Sequence, residues 1–247
     1  MNDSISAISP AWPTRWPKDS FKSLWTWLLA GFMASLFIAT SILSLTVQTP
    51  KNVSALDVDF LILLQFAFES VLVAIVLAAL PSLSKFSLRE LGFRVPSLAT
   101  VGIAVIGAIA MIIVANGSAS LIGYLAHSQH QQDIVQIFKE IHNRSTIILF
   151  AAFAILFVPF AEETLFRIFF FNLGMRYGGF WMGAVISGVL FGMAHGDVYA
   201  ALPLALGGII LCAVYYRTRN AFASMITHAL FNSLSIVLLL VAPKLTQ

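Results

Sequence analysis

Charged residues are scarce in this chain. They make up 10% of its 247 residues, whereas hydrophobic residues make up 59%. Because soluble domains carry roughly 25% charged residues, this composition excludes an ordinary soluble domain and predicts a polytopic membrane protein. The net charge of only +3 gives no reason to expect nucleic acid as a partner.

Cysteine and several hydrolase motifs are also missing. Cys212 is the single cysteine, so no internal disulfide is possible. The chain contains no His-Glu-x-x-His zinc-protease helix, no Gly-x-Ser-x-Gly nucleophile elbow and no Gly-rich phosphate loop. It also lacks the Gly-x-Gly-Asp pattern of intramembrane aspartyl proteases, an internal repeat and a second domain. The sequence therefore predicts one all-α transmembrane bundle.

Long apolar runs are abundant instead. About 20 apolar residues cross a hydrocarbon core of ~30 Å. By this measure the sequence predicts seven spans, or eight depending on the segments near His142 and "HGDV". The polar segment after the third span has an amphipathic middle that is typical of a surface helix. The predicted spans are residues 24–48, 59–80, 98–125, 146–172, 179–195, 199–216 and 221–242.

The basic residues predict the orientation in a cell membrane. The first apolar run is too long for a signal-peptide core of ~7–15 residues and is read as an uncleaved span. With the N-terminus inside, nine Lys or Arg lie at inner ends of spans and four at outer ends. The positive-inside rule thus favours a cytoplasmic N-terminus. The predicted organisation is a cytoplasmic tail (1–23), N-terminal transmembrane helices and loops (24–145) and a core (146–242).

The fourth span carries three ionisable residues among phenylalanines, in the stretch "FVPFAEETLFRIFFF". A charge at the centre of a bilayer costs about 2.5–3.5 kcal/mol on insertion scales, so such groups are read as functional by default. Glu163 and Arg167 are i,i+4 neighbours and are expected to pair. Glu162 is left without a local partner and suits a general base.

Two further patterns place polar groups in the later spans: Phe191-x-x-x-His195 and His228-x-x-x-Asn232. Each is an i,i+4 pair on one helix face. Glu69 and Asn116 in the second and third spans are weaker candidates, expected to be buried groups that pair with neighbours.

The depths of these groups decide whether they meet. Glu162 and His195 lie equally far from the "YGG" turn, so they are expected to face each other across a helical hairpin. His228 lies eight residues past Asn220, which puts it ~12 Å from its turn against ~24 Å for the other two. The depths agree only if the hairpin extends beyond the bilayer or the helices tilt.

The residues allow two chemistries. A carboxylate, two imidazoles and a carboxamide suffice to activate water against an amide and to stabilise the oxyanion. Glu162, His195 and His228 would equally supply three zinc ligands with water in the fourth position. The pattern does not separate a metal-free site from a zinc site. Phe191 is expected to wall the pocket.

The stretches "EETLFR", "FGMAH" and "HALFN" together resemble the CAAX-protease and bacteriocin-processing family of intramembrane proteases, also called the Abi family. The family signatures are Glu-Glu-x-x-x-Arg, Phe-x-x-x-His and His-x-x-x-Asn, in that order on successive helices, and all three are complete. The resemblance covers about residues 146–240. The stretch "LRELGFR" at 88–94 is similar to the loop that precedes the core in this family.

The resemblance implies roles for these residues. Glu162 and His195 would activate water, whereas His228 and Asn232 would stabilise the oxyanion. Glu163, Arg167 and Phe191 would support the site. A peptide or protein substrate, lipidated or not, and membrane lipids are the implied partners. Family members are often labelled metalloproteases, but the resemblance favours water activated by glutamate.

Two other functions compete with proteolysis. A non-enzymatic member of the same fold, acting as a bacteriocin-immunity or scaffold protein, would keep the cluster as structural support. A transporter or proton channel would use the same groups as a relay, but inverted repeats typical of that class are absent from the sequence.

Overall fold

A computed structural model describes residues 16–46, 55–127 and 143–245. These ranges are entirely helical apart from short connections. Most of the predicted cytoplasmic tail and the surface helix predicted after the third span lie outside the described residues.

The helices follow the predicted spans closely. Three precede the core: α1 (Leu24–Thr46), α2 (Ala55–Ser84) and α3 (Leu98–Leu125). The core begins with a continuous helical stretch and ends with two more helices. Its segments are α4 (Arg144–Ala152), π1 (Phe153–Phe157), α5 (Val158–Glu163), π2 (Thr164–Phe171), α6 (Asn172–Ala194), α7 (Val198–Thr218) and α8 (Ala221–Leu245).

The described residues contain fewer long apolar helical stretches than the seven or eight predicted spans. Five described helical stretches are long and apolar enough to cross a membrane, and a shorter apolar stretch covers Leu24–Ala39. The prediction of seven or eight is higher because the fourth and fifth predicted spans fall within one helical stretch, Arg144–Ala194.

That stretch bends back on itself at the predicted "YGG" turn. Gly178 (φ −139°, ψ 17°) and Gly179 (φ 71°, ψ −169°) leave helical geometry, and the positive φ of Gly179 suits a residue without a Cβ. Beyond the turn the two arms pack tightly. A Cβ on Gly174 would lie 2.7 Å from the Gly183 Cα, and one on Gly183 would lie 2.5 Å from the Phe171 carbonyl oxygen.

We expect Gly183→Ala to lower the Tm of the detergent-purified protein by several degrees. The added methyl meets backbone atoms of the other arm, which cannot move aside without opening the hairpin. Gly102→Ala is the matched control, because a Cβ there meets nothing within 4 Å. Equal melting temperatures for the two variants would contradict the close approach.

The loop "LRELGFR" is anchored to the start of α8. The Tyr215 hydroxyl donates to the Leu91 carbonyl (2.7 Å), and the Asn220 side chain donates to the Arg94 carbonyl (2.8 Å). The Ala221 N–H donates to the Gly92 carbonyl (2.9 Å). The loop thus fixes the turn between α7 and α8. His228 and Asn232 lie on α8, which begins at this turn.

Candidate active site

Two π-helical segments flank the turn that carries Glu162 and Glu163. A π-helix has i→i+5 hydrogen bonds and is often found at functional sites. Pro159 follows the first segment and accounts for it, since proline has no N–H and its ring crowds the carbonyl four residues earlier. The widened turn accommodates that ring.

Three side chains from two helices, α6 and α8, hydrogen-bond to carbonyl groups of these segments. Asn232 Nδ2 donates to Ala154 O in π1 (2.8 Å). Ser187 Oγ donates to Phe166 O (2.8 Å) and Asn172 Nδ2 to Ile168 O (3.0 Å), both in π2. Buried carbonyls need such partners. Ser187 and Asn172 were not predicted from the sequence. Their position as polar residues within apolar runs could have identified them as buried hydrogen-bonding groups.

The predicted ion pair is present. Arg167 Nη1 lies 3.0 Å from Glu163 Oε1, and both side chains are fully buried. The guanidinium also donates to the Gly208 carbonyl (3.3 Å) and lies 4.4 Å from the centre of the Phe191 ring. Hydrogen bonding and cation–π contact compensate for burying the charge inside protein.

His228 lies between the two carboxylates. Its Nδ1 is 3.1 Å from Glu163 Oε1, and its Nε2 is 3.7 Å from Glu162 Oε2. Because a carboxylate accepts, Glu163 fixes a proton on Nδ1 and directs Nε2 towards Glu162. The depths of Glu162 and His228 therefore match, as the π segments place more residues in each turn of the first arm than an α-helix does.

His195 sits apart from this pair. Its Nδ1 lies 2.8 Å from the Phe191 carbonyl, which leaves Nε2 as the nitrogen available for chemistry. The Phe191 ring stands between the imidazoles, 4.9 Å from the His195 ring and 5.6 Å from the His228 ring. Within the described residues, no hydrogen bond or ion pair joins His195 to Glu162. Phe191 thus separates the two imidazoles.

The donor atoms do not fit a metal site in this arrangement. Within the described ranges, no three His, Cys, Asp or Glu side chains come together as a group that could hold a metal ion. Glu162, His195 and His228, the ligands considered from the sequence, are among the residues described.

An apolar groove of about 370 Å³ runs beside the site, along the seam between the first arm of the hairpin and α8. Pro159, Phe160 and Ala229 lie in its wall, close in sequence to Glu162 and His228. At one end it reaches Pro96 and Phe222, near the anchored loop. A groove of this kind fits an extended apolar chain.

Comparison with known proteins gives a family for the core. Residues 144–234 match the family model described as type II CAAX prenyl endopeptidase Rce1-like. The chain is also similar to the Bacillus subtilis (strain 168) protein named "Putative membrane peptidase YdiL", with 26% identity over 80 residues. That alignment covers 32% of this chain and 33% of the relative, so the chain matches about a third of the relative's length. No solved structure matches.

The matched residues contain all three motifs and the helices that carry them. Together with the apolar helices, they indicate a multi-pass membrane protein of a protease family. The resemblance inferred from the motifs is confirmed for residues 144–234, which match the Rce1-like family model and contain all three motifs.

Proposed function

We propose that this protein is an intramembrane endopeptidase that hydrolyses a peptide bond with water activated by Glu162 and His195. The observation that carries the proposal is the placement of His228 between Glu162 and Glu163, 3.7 and 3.1 Å from their oxygens. A packing histidine needs one partner, whereas this one faces two carboxylates. We further propose a cytoplasmic N-terminus and cleavage near the cytoplasmic half of the membrane.

In the proposed reaction, Glu162 takes a proton as the water oxygen bonds to the carbonyl carbon of the substrate. His195 Nε2, directed by the Phe191 carbonyl, accepts the other O–H of the water. The resulting oxyanion receives hydrogen bonds from His228 and Asn232. The C–N bond then breaks as the proton on Glu162 passes to the leaving amine.

Both oxyanion donors are oriented by neighbouring groups. Glu162 and Glu163 balance the charge of a protonated His228, whose Nε2–H then points into the site. Asn232 uses one N–H on Ala154 O, and a carboxamide has a second N–H to offer. Glu163 and Arg167 act through His228 and the backbone, and are therefore positioning residues.

The groove beside the site favours a substrate with an apolar chain next to the scissile bond. Its wall is apolar, and at 370 Å³ it accommodates a lipid group or several apolar side chains. A lipidated peptide is accordingly the substrate class we propose. The rival is an immunity or scaffold protein that keeps the same cluster without cleaving anything.

The test is cleavage of a quenched fluorescent peptide library, with lipidated and unlipidated members, by the purified wild type and by Asn232→Ala. We expect cleavage by wild type, fastest for lipidated members. The variant should lose about 100-fold in kcat, because one oxyanion donor contributes 10²–10³. A zinc chelator added in parallel separates the two chemistries, since loss of activity with chelator would indicate a metal.

Equal thermal stability of both proteins is the control for folding. Faster cleavage of unlipidated members would contradict the lipidated class. No cleavage of any member by wild type would favour the immunity or scaffold function.

A further inference from the structure

Glu69 is a carboxylate outside the matched region that the proposed mechanism does not use. Glu69 is on α2, well before residue 144. Its Oε1 accepts a hydrogen bond from Gln65 Nε2 (2.8 Å), which orients the carboxyl group. Its Oε2 is buried without a hydrogen-bond partner. A buried acidic oxygen in a membrane span needs a reason to be there.

The packing of α2 indicates that Glu69 lies beside the helical turn that carries Glu162 and Glu163. Ile62 packs on Phe150 and its neighbours in the first arm. One turn later, the Phe66 ring lies 6.2 Å from the Phe153 ring and 4.4 Å from the Phe157 ring. Positions 62, 66 and 69 share one helix face. The next step along that face therefore brings Glu69 to α5, which α2 contacts.

Glu69 and Glu162 each have a buried carboxylate oxygen that lacks a hydrogen-bond partner. Glu69 lies within electrostatic range of Glu162. The Oε2 atom of Glu162 is also buried without a hydrogen-bond partner, and His228 Nε2 at 3.7 Å is too distant to supply one. Two ionised carboxylates facing each other in an apolar span repel, whereas a single shared O–H satisfies both oxygens and removes one charge.

We propose that Glu69 is a positioning residue whose carboxyl group donates a hydrogen bond from Oε2 to Glu162 Oε2. Glu162 Oε1 is then turned towards the substrate and takes the proton of the attacking water. The inference rests on the proposed function for its catalytic meaning, but the contact between the two glutamates does not.

Two variants at this position separate hydrogen bonding from charge. Glu69→Gln keeps an acceptor for Gln65 and an N–H donor for Glu162, whereas Glu69→Leu keeps neither. We expect the Leu variant to lose at least about tenfold in kcat with KM changed less than twofold, since misorienting a base affects the chemical step. The Gln variant should retain most of the wild-type kcat. Phe68→Leu, on the exposed side of α2, is the control.

A stability cycle tests the contact without any activity. The Tm is measured for Glu69→Leu, Glu162→Leu and the double variant in detergent. We expect the shift of the double variant to differ from the sum of the single shifts by more than about 2 °C, because residues in contact are non-additive.

Several results of these measurements would overturn the proposal. Additive shifts overturn the proposal whatever the protein does. A Gln variant as slow as the Leu variant, or a Leu variant with unchanged kcat, also overturns it. Absence of cleavage by wild type defeats the proposed function, and the stability cycle alone then decides whether Glu69 contacts Glu162.

Discussion

Replacing Glu162 by Gln is expected to lower kcat about a thousandfold while leaving KM and the folded state intact. The amide matches the carboxylate in shape but cannot take a proton from water, and general-base catalysis contributes about 10²–10⁴. Stability should not fall, because the carboxamide oxygen of Gln can still accept a hydrogen bond at the position of Glu162 Oε2. The measurement is steady-state cleavage of the best library peptide, with Tm recorded alongside.

Glu90→Gln is the matched control for this variant. Glu90 is exposed in the loop before α3, where hydrogen bonds from Ser87 hold its pKa below the usual range. Gln at this position removes the charge but still accepts from Ser87, so the loop keeps its shape and cleavage should stay at the wild-type rate. If Glu162→Gln cleaves as fast as this control, another group must activate the water.

The sequence predicted correctly those features of the site that depend only on local helix geometry. The Glu163–Arg167 pair follows from i,i+4 spacing, which the observed 3.0 Å contact satisfies. The turn at Gly178 and Gly179 follows from the conformational freedom of glycine. Residues within one or two helical turns share a backbone that is already specified, so spacing alone is enough.

Features that depend on packing between helices were not predictable in the same way. The equal-depth argument expected Glu162 opposite His195, yet the imidazole beside Glu162 is that of His228. The two π segments, Phe153–Phe157 and Thr164–Phe171, depart from the rise and the facing of an α-helix, so an α-helical measure cannot anticipate the positions of the residues in this arm. Glu69 was recognised only as a candidate for a buried pair, because its partner is set by the packing of α2.

Asn116 shows the same limit. It was expected to be buried and paired with a neighbour, but its side chain is exposed and donates to Ile112 O one turn earlier in its own helix (2.9 Å). Sequence position in an apolar span therefore says little about which face of the helix a polar residue occupies.

The largest loss of stability is expected for Arg167→Met. The change leaves the Glu163 carboxylate fully buried with His228 as its remaining partner, and removing one member of a buried pair costs about 3–5 kcal/mol. For a chain of this size we therefore expect the Tm in detergent to fall by roughly 10 °C. Arg144→Met at the exposed start of α4 is the control and should change the Tm little.

The double variant Glu163→Gln/Arg167→Met tests whether the unpaired charge of Glu163 or the lost contacts of Arg167 cause the fall in the Tm. It removes both charges while the new carboxamide still offers an oxygen to His228 Nδ1, so it should recover much of the lost Tm. Methionine also fills the space beside the Phe191 ring. A double variant no more stable than Arg167→Met would mean that the guanidinium contacts with Phe191 and Gly208, rather than the ion pair, hold this part of the core together.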